Sequence, residues 1–173
     1  DGFFLMVEGG KIDWACHNND AANVFHEVQD MDKAIQVAYK FYEQHPDETL
    51  IVVTADHETG GIVLGRGPYE LRTHLLQYQR MSVENYSAHL AELSKKKGNA
   101  LTWEMVKADL EENWGFWKHI SLNDNQQQRL QAAFNALKKN SDKGEKSLYA
   151  SLNSLATTAR DITNEAALIG WVS

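Results

Sequence analysis

The eight residues Thr54-Ala55-Asp56-His57-Glu58-Thr59-Gly60-Gly61 constrain this chain more than any other stretch. They follow Leu50-Ile51-Val52-Val53, a run of mostly branched apolar residues that reads as a strand buried on both faces of a parallel sheet. Such a strand delivers Asp56 and His57 to its carboxyl end, where open α/β sheets bind their ligands. The paired glycines let the backbone turn sharply and pass close to another segment. Asp and His are oxygen and imidazole donors of the kind zinc takes. One Asp-His pair is also what an ordinary hydrogen-bonded loop contains, so the rest of the chain has to decide.

A second cluster lies upstream. Phe3-Phe4-Leu5-Met6-Val7 reads as another buried strand, and Glu8-Gly9-Gly10 again sets a carboxylate and glycines at its carboxyl end. Asp13 and His17 are four residues apart, so one helical turn places them on one face, able to hold one ion. Glu8 is close enough in sequence to serve a neighbouring ion. Each residue has a plainer reading: Glu8 as a cap, Asp13 as a helix N-cap, His17 as a surface histidine. Two strand ends that each supply an acid and a histidine favour the metal reading. Cys16, the only cysteine, rules out an internal disulfide, reads as a small buried hydrophobe and stays outside the candidate site.

Between the clusters, Val24, Val28, Met31, Ile35, Ala38 and Tyr42 recur at spacings of three and four, which predicts a helix from Asp20 to about Gln44. Asp30 and Asp32 mark a bend or a second start, and His45-Pro46 closes it. His26 beside this stripe reads as structural. Strand, helix, strand makes a βαβ unit with a right-handed crossover, placing both clusters on one edge of the sheet.

After Gly61 comes a short strand, Ile62-Val63-Leu64, and then helices over about residues 69–163. Ser82 caps a helix to about Lys95, Thr102 caps one through Val106 and Leu110, and Asn123 or Asp124 opens one through Leu130, Phe134 and Leu137. A last helix is expected from about Lys146 to Asp161, through Leu148, Leu152 and Leu155. Trp114, Phe116 and Trp117 read as packed core between helices. His74, His89 and His119 have no acidic partner at ligand spacing and read as surface or packing residues. The chain thus divides into an α/β core segment (1–65), a mostly helical insert (66–165) and a strand returning to the core (166–173).

The 17 Lys and Arg against 24 Asp and Glu give a formal charge of −7, which argues against nucleic acid or an anionic membrane surface as partner. No apolar run reaches the length of a membrane span. Both ends are strand-like without polar tails, the pattern expected of a piece cut from a longer protein.

The two clusters also resemble a known family. Phe3 to Asp13 with His17, and Val52 to Gly61, look like the two metal-binding segments of the alkaline phosphatases, in the family's order and at about its separation. Asn164-Glu165 through Gly170-Trp171 is similar to the stretch before that family's last zinc histidine. The resemblance implies part of a parallel-sheet α/β/α sandwich carrying two zinc ions and one magnesium. Glu8 would bind magnesium, Asp13 and His17 one zinc, and Asp56 and His57 the other. Trp14 would lie near the phosphate pocket. The implied enzyme hydrolyses phosphate monoesters through a phosphoserine, is periplasmic or secreted, and is a homodimer. Its insert would form a crown, a lid or dimer contacts. The nucleophilic serine has no recognisable motif here, so no catalytic residue is assigned, and the chain alone is expected to be inactive. The competing readings are a sulfatase, phosphodiesterase or metal-dependent mutase of the same superfamily, and a non-catalytic α/β assembly module. Glu8-Gly9-Gly10-Lys11-Ile12-Asp13 and Asp56-His57-Glu58-Thr59-Gly60-Gly61 favour the phosphatase.

Overall fold

Four helices packed around an aromatic core make up the larger part of the structure, a computed structural model that describes residues 2–139, 141–146 and 151–172. In chain order the elements are α1 (Gly10–His17), α2 (Ala21–Gln44), β1 (Val63–Leu64), α3 (Val83–Lys97), α4 (Trp103–Trp114), α5 (Asp124–Lys138), β2 (Glu145–Lys146), β3 (Ser151–Leu152), α6 (Ser154–Ala167) and β4 (Ile169–Gly170). Short 3-10 turns cover Thr73–Tyr78 and Gly98–Ala100.

The helix starts follow from their caps. Ser82, Thr102 and Asn123 each accept a hydrogen bond from the backbone N–H three residues on, and Gln126 completes a capping box with Asn123. Val83, Tyr86, Leu90, Val106, Leu110, Leu130 and Phe134 are buried as their spacing predicts. Trp114 and Phe116 are fully buried, and Trp114 meets Tyr86 edge-on at 5.2 Å, so the aromatic group is core. Helix α2 runs unbroken through Asp30 and Asp32.

The structure departs from two expectations. The last helix starts at Ser154 rather than near Lys146, capped by Asn153, and continues to Ala167. Ahead of it β2 and β3 pair antiparallel, with Glu145 opposite Leu152. The reason is local: Asp142 accepts hydrogen bonds from the N–H groups of Gly144 and Ser154 and from the Ser154 hydroxyl, fixing where α6 starts. Leu148 lies outside the described residues.

The second is the parallel sheet, which does not form among the described residues. Neither residues 3–7 nor residues 50–53 form a strand, and Phe4 is 92% and Leu50 87% exposed. A strand exists through hydrogen bonds to a neighbour, and among the described residues neither run has a paired strand. The strands that do form beside the site are antiparallel, with β1 on β4 in the register Val63 to Gly170 and Leu64 to Ile169.

What holds α1 and α2 against the helical bundle is a buried polar corner at residues 18–20. Asp20 caps α2 and is 1% exposed. Its Oδ1 accepts from Asn23 N (3.2 Å) and Gln79 Nε2 (2.8 Å), and its Oδ2 from Val83 N (2.7 Å) at the start of α3. Arg160 of α6 donates to the Asn18 carbonyl (2.9 Å), and Asn164 to that of Asn19 (2.8 Å). Arg160 is in turn held by Glu145 and Asp161. Burial pushes the Asp20 carboxyl up from its ordinary value, against the pull of its hydrogen bonds and of Arg160. Removing the carboxylate strands three donors at a dry site. Asp20→Ala should therefore lose about 3 kcal/mol in urea unfolding, and Asp20→Asn, which keeps one acceptor, distinctly less.

Candidate metal centre

Helix α1 places Asp13 and His17 one turn apart, as their spacing requires. Asp13 Oδ1 lies 3.5 Å from His17 Nε2, both partly exposed. The Asp-His loop makes its own pair, with Asp56 Oδ2 3.3 Å from His57 Nε2. Two donors bound to one tetrahedral zinc at about 2.0–2.1 Å are separated by about 3.3 Å. Both pairs match that edge, so each fits as two donors of a zinc site.

Thr59 joins the two pairs. Its hydroxyl donates to Asp13 Oδ1 at 2.5 Å and lies 3.2 Å from His57 Nδ1. Two motifs more than forty residues apart thus meet at one side chain, although the sheet expected to align them is not formed. Thr59 lies inside the singled-out stretch, but its spacing from Asp13 gives no periodic signal that would have marked it.

The loop is ordered by short-range bonds. Asp56 Oδ1 accepts from the His57 N–H (2.9 Å), and Glu58 Oε2 from the Gly61 N–H (2.9 Å). His57 Nδ1 lies 3.0 Å from the Glu58 carbonyl, which directs Nε2 toward Asp56. The Glu58 carbonyl and then the Asp56 carboxylate hold the His57 imidazole above its usual pKa.

The other expected residues are close but separate. The Glu8 carboxylate folds back over Gly10 at the start of α1, where the helix N-cap is Gly9 without a side-chain bond. Trp14 is 43% exposed and lines a groove of about 510 Å³ with Lys11, His26 and Arg80. Cys16 is buried against Ala15 and Val24, and burial, followed by Asp13 and Glu58, pushes its thiol up, so it behaves as a hydrophobe. Among the described residues no three His, Cys, Asp or Glu side chains converge on one point. The arrangement is two half-sites side by side, chemically suited to zinc and short of a full ligand set for either ion.

Among the remaining histidines, His89 does have an acidic partner. Asp109, on the neighbouring helix α4, comes within 2.6 Å of its Nε2 and also accepts from the Tyr86 hydroxyl at 2.8 Å. This pairing across helices has no sequence spacing to reveal it. His119 stacks on Tyr78 at 4.1 Å.

The family model for alkaline phosphatase matches residues 1–161. The chain belongs to the alkaline phosphatase family. It is 48% identical over 64 residues to alkaline phosphatase 4 of Bacillus subtilis, covering 37% of this chain and 14% of that protein. To the repressible alkaline phosphatase of Saccharomyces cerevisiae it is 52% identical over 66 residues, covering 38% of this chain and 12% of that one. The crystal structure of a cold-active alkaline phosphatase from the psychrophile Shewanella sp. superposes with a TM-score of 0.73 at 31% identity, over 99% of this chain and 36% of that one. The chain therefore spans about a seventh or less of these curated relatives and about a third of the structural one.

Gly60 follows Thr59, where the two half-sites meet. Its φ is +75°, and a Cβ there would lie 2.9 Å from the Cys16 carbonyl oxygen and 2.9 Å from the Trp171 ring. Gly60→Ala should therefore lose more than the positive-φ cost alone, about 1 kcal/mol, in urea unfolding, and should also change the chemical shifts of Asp13 and His57.

Proposed function

We propose that this chain supplies the metal-ligand segment of a phosphomonoesterase that hydrolyses phosphate monoesters at a two-zinc, one-magnesium site. The observation that carries the reading is the Thr59 hydroxyl lying between Asp13 of one motif and His57 of the other. Membership of the alkaline phosphatase family supports the reaction class. Asp13 and His17 would hold one zinc, Asp56 and His57 the second, and Glu8 the magnesium. When bound, the ions supply the positive charge that steadies the attacking and leaving oxygens of an in-line displacement at phosphorus.

The chain's own residues prepare that site. The Glu58 carbonyl and the Thr59 hydroxyl occupy His57 Nδ1, leaving Nε2 beside Asp56. Thr59 also fixes one Asp13 oxygen, so both pairs are held before any ion arrives. Trp14 borders the phosphate pocket. The nucleophilic serine, whose phosphorylated form is the intermediate, and the remaining zinc histidine belong to parts of the whole enzyme outside this sequence. In that enzyme the apolar runs at residues 3–7 and 50–53 enter a parallel sheet, residues 66–165 stand beside the site as a helical insert, and residues 166–173 return to the core. The family carries the further proposals of a homodimer and of a periplasmic or secreted location.

Zinc retained per chain after dialysis, measured by elemental analysis, tests the reading. Wild type should retain zinc, His57→Ala should retain less by up to one ion per chain with little change in unfolding, and neither should release p-nitrophenol from p-nitrophenyl phosphate. Equal zinc in both proteins, or steady zinc-dependent turnover by this chain alone, would contradict it.

A further inference from the structure

The segment after α6 reaches back to the Asp-His loop. From β1 and β4 the antiparallel contact continues in both directions: Arg66 N–H donates to the Leu168 carbonyl (2.7 Å), and Val172 N–H to the Gly60 carbonyl (3.0 Å). This register sets Trp171 over Gly60. A Cβ on Gly60 would lie 2.9 Å from Trp171 Cε3, and one on Gly61 2.8 Å from Val172 Cβ. Gly60 is thus clamped between the indole and the Cys16 carbonyl at the end of α1.

Trp171 is also the residue shared by two small apolar clusters. It packs with Ala21, Ala22 and Ile169 on one side and with Ala15, Cys16 and Val24 on the other. The large cluster of the helical bundle does not include it. The ring is kept there by shape and apolar contact. Thr59, which bridges Asp13 and His57, is the residue next to Gly60.

We propose that Trp171 is a positioning residue for the candidate metal centre: its ring presses Gly60 onto the end of α1 and so holds Thr59 between the two half-sites. It touches neither metal nor substrate. The proposal rests on the metal reading above, and its test separates the two.

Amide exchange by NMR on the metal-free protein, followed by zinc titration calorimetry, would compare wild type, Trp171→Ala, Trp171→Phe and His57→Ala. In Trp171→Ala, exchange at His57 and Gly61 should rise and zinc affinity fall, each about tenfold or more. The amides of α4 and α5 should keep their protection, because Trp171 lies outside that core. Trp171→Phe, which keeps a flat ring, should recover most of both effects. Unchanged exchange at His57 and Gly61 in Trp171→Ala would overturn the proposal, as would loss of protection throughout the chain. Zinc affinity kept in Trp171→Ala but lost in His57→Ala would also overturn it. Zinc affinity unchanged in His57→Ala as well would overturn instead the metal reading beneath it.

Discussion

The buried carboxylate of Asp20 is the interaction on which the arrangement depends. It caps α2, fixes the start of α3 through the Val83 N–H, and holds Gln79 in the connection between them. Arg160 and Asn164 of α6 take up the carbonyls of Asn18 and Asn19 just before it. The helix carrying Asp13 and His17 is joined to the bundle at this corner, with two small apolar clusters alongside: Ala21, Ala22, Leu76, Ala167 and Ile169 in one, Ala15, Cys16 and Val24 in the other, and Trp171 packed against both. The Asp20 carboxylate is specific because its three donors meet it in one geometry, and leaving them unpaired is costly in others. The bundle then serves as a fixed base, and its last helix leads into the segment that meets the Asp-His loop.

The half-sites show how local chemistry survives without the expected sheet. Both apolar runs lack a strand partner among the described residues and stand exposed, yet the loop after the second still meets α1. Turn-forming glycines, side-chain to backbone bonds from Asp56 and Glu58, and one threonine hydroxyl provide the order. None of these needs the parallel sheet. A full coordination shell needs more donors than α1 and this loop bring together.

Legibility in the sequence follows the same division. Helices α3, α4 and α5 were readable because cap, apolar period and terminator sit within each segment. Asp13 and His17 were readable because helical spacing places them on one face. The Asp56-His57 pair was readable from its setting between an apolar run and two glycines. Residues 3–7 and 50–53 have strand composition, but pairing depends on a neighbour that the run itself does not specify. Thr59 and Trp171 were not legible as site residues, because their roles come from contacts 46 residues away in one case and from a ladder between distant segments in the other. The start of α6 is not legible in the apolar spacing of Leu152 and Leu155, because it is set by the bonds of Asp142 to Ser154.

The central claim is that this chain, on its own, brings its two metal motifs together through Thr59. Nuclear Overhauser contacts between the Thr59 methyl and the Asp13 β protons, in the metal-free chain at neutral pH, test it most directly. The account predicts clear cross-peaks, together with dispersed shifts for residues 56–61. Random-coil shifts over that loop, with no contact to α1, would contradict it.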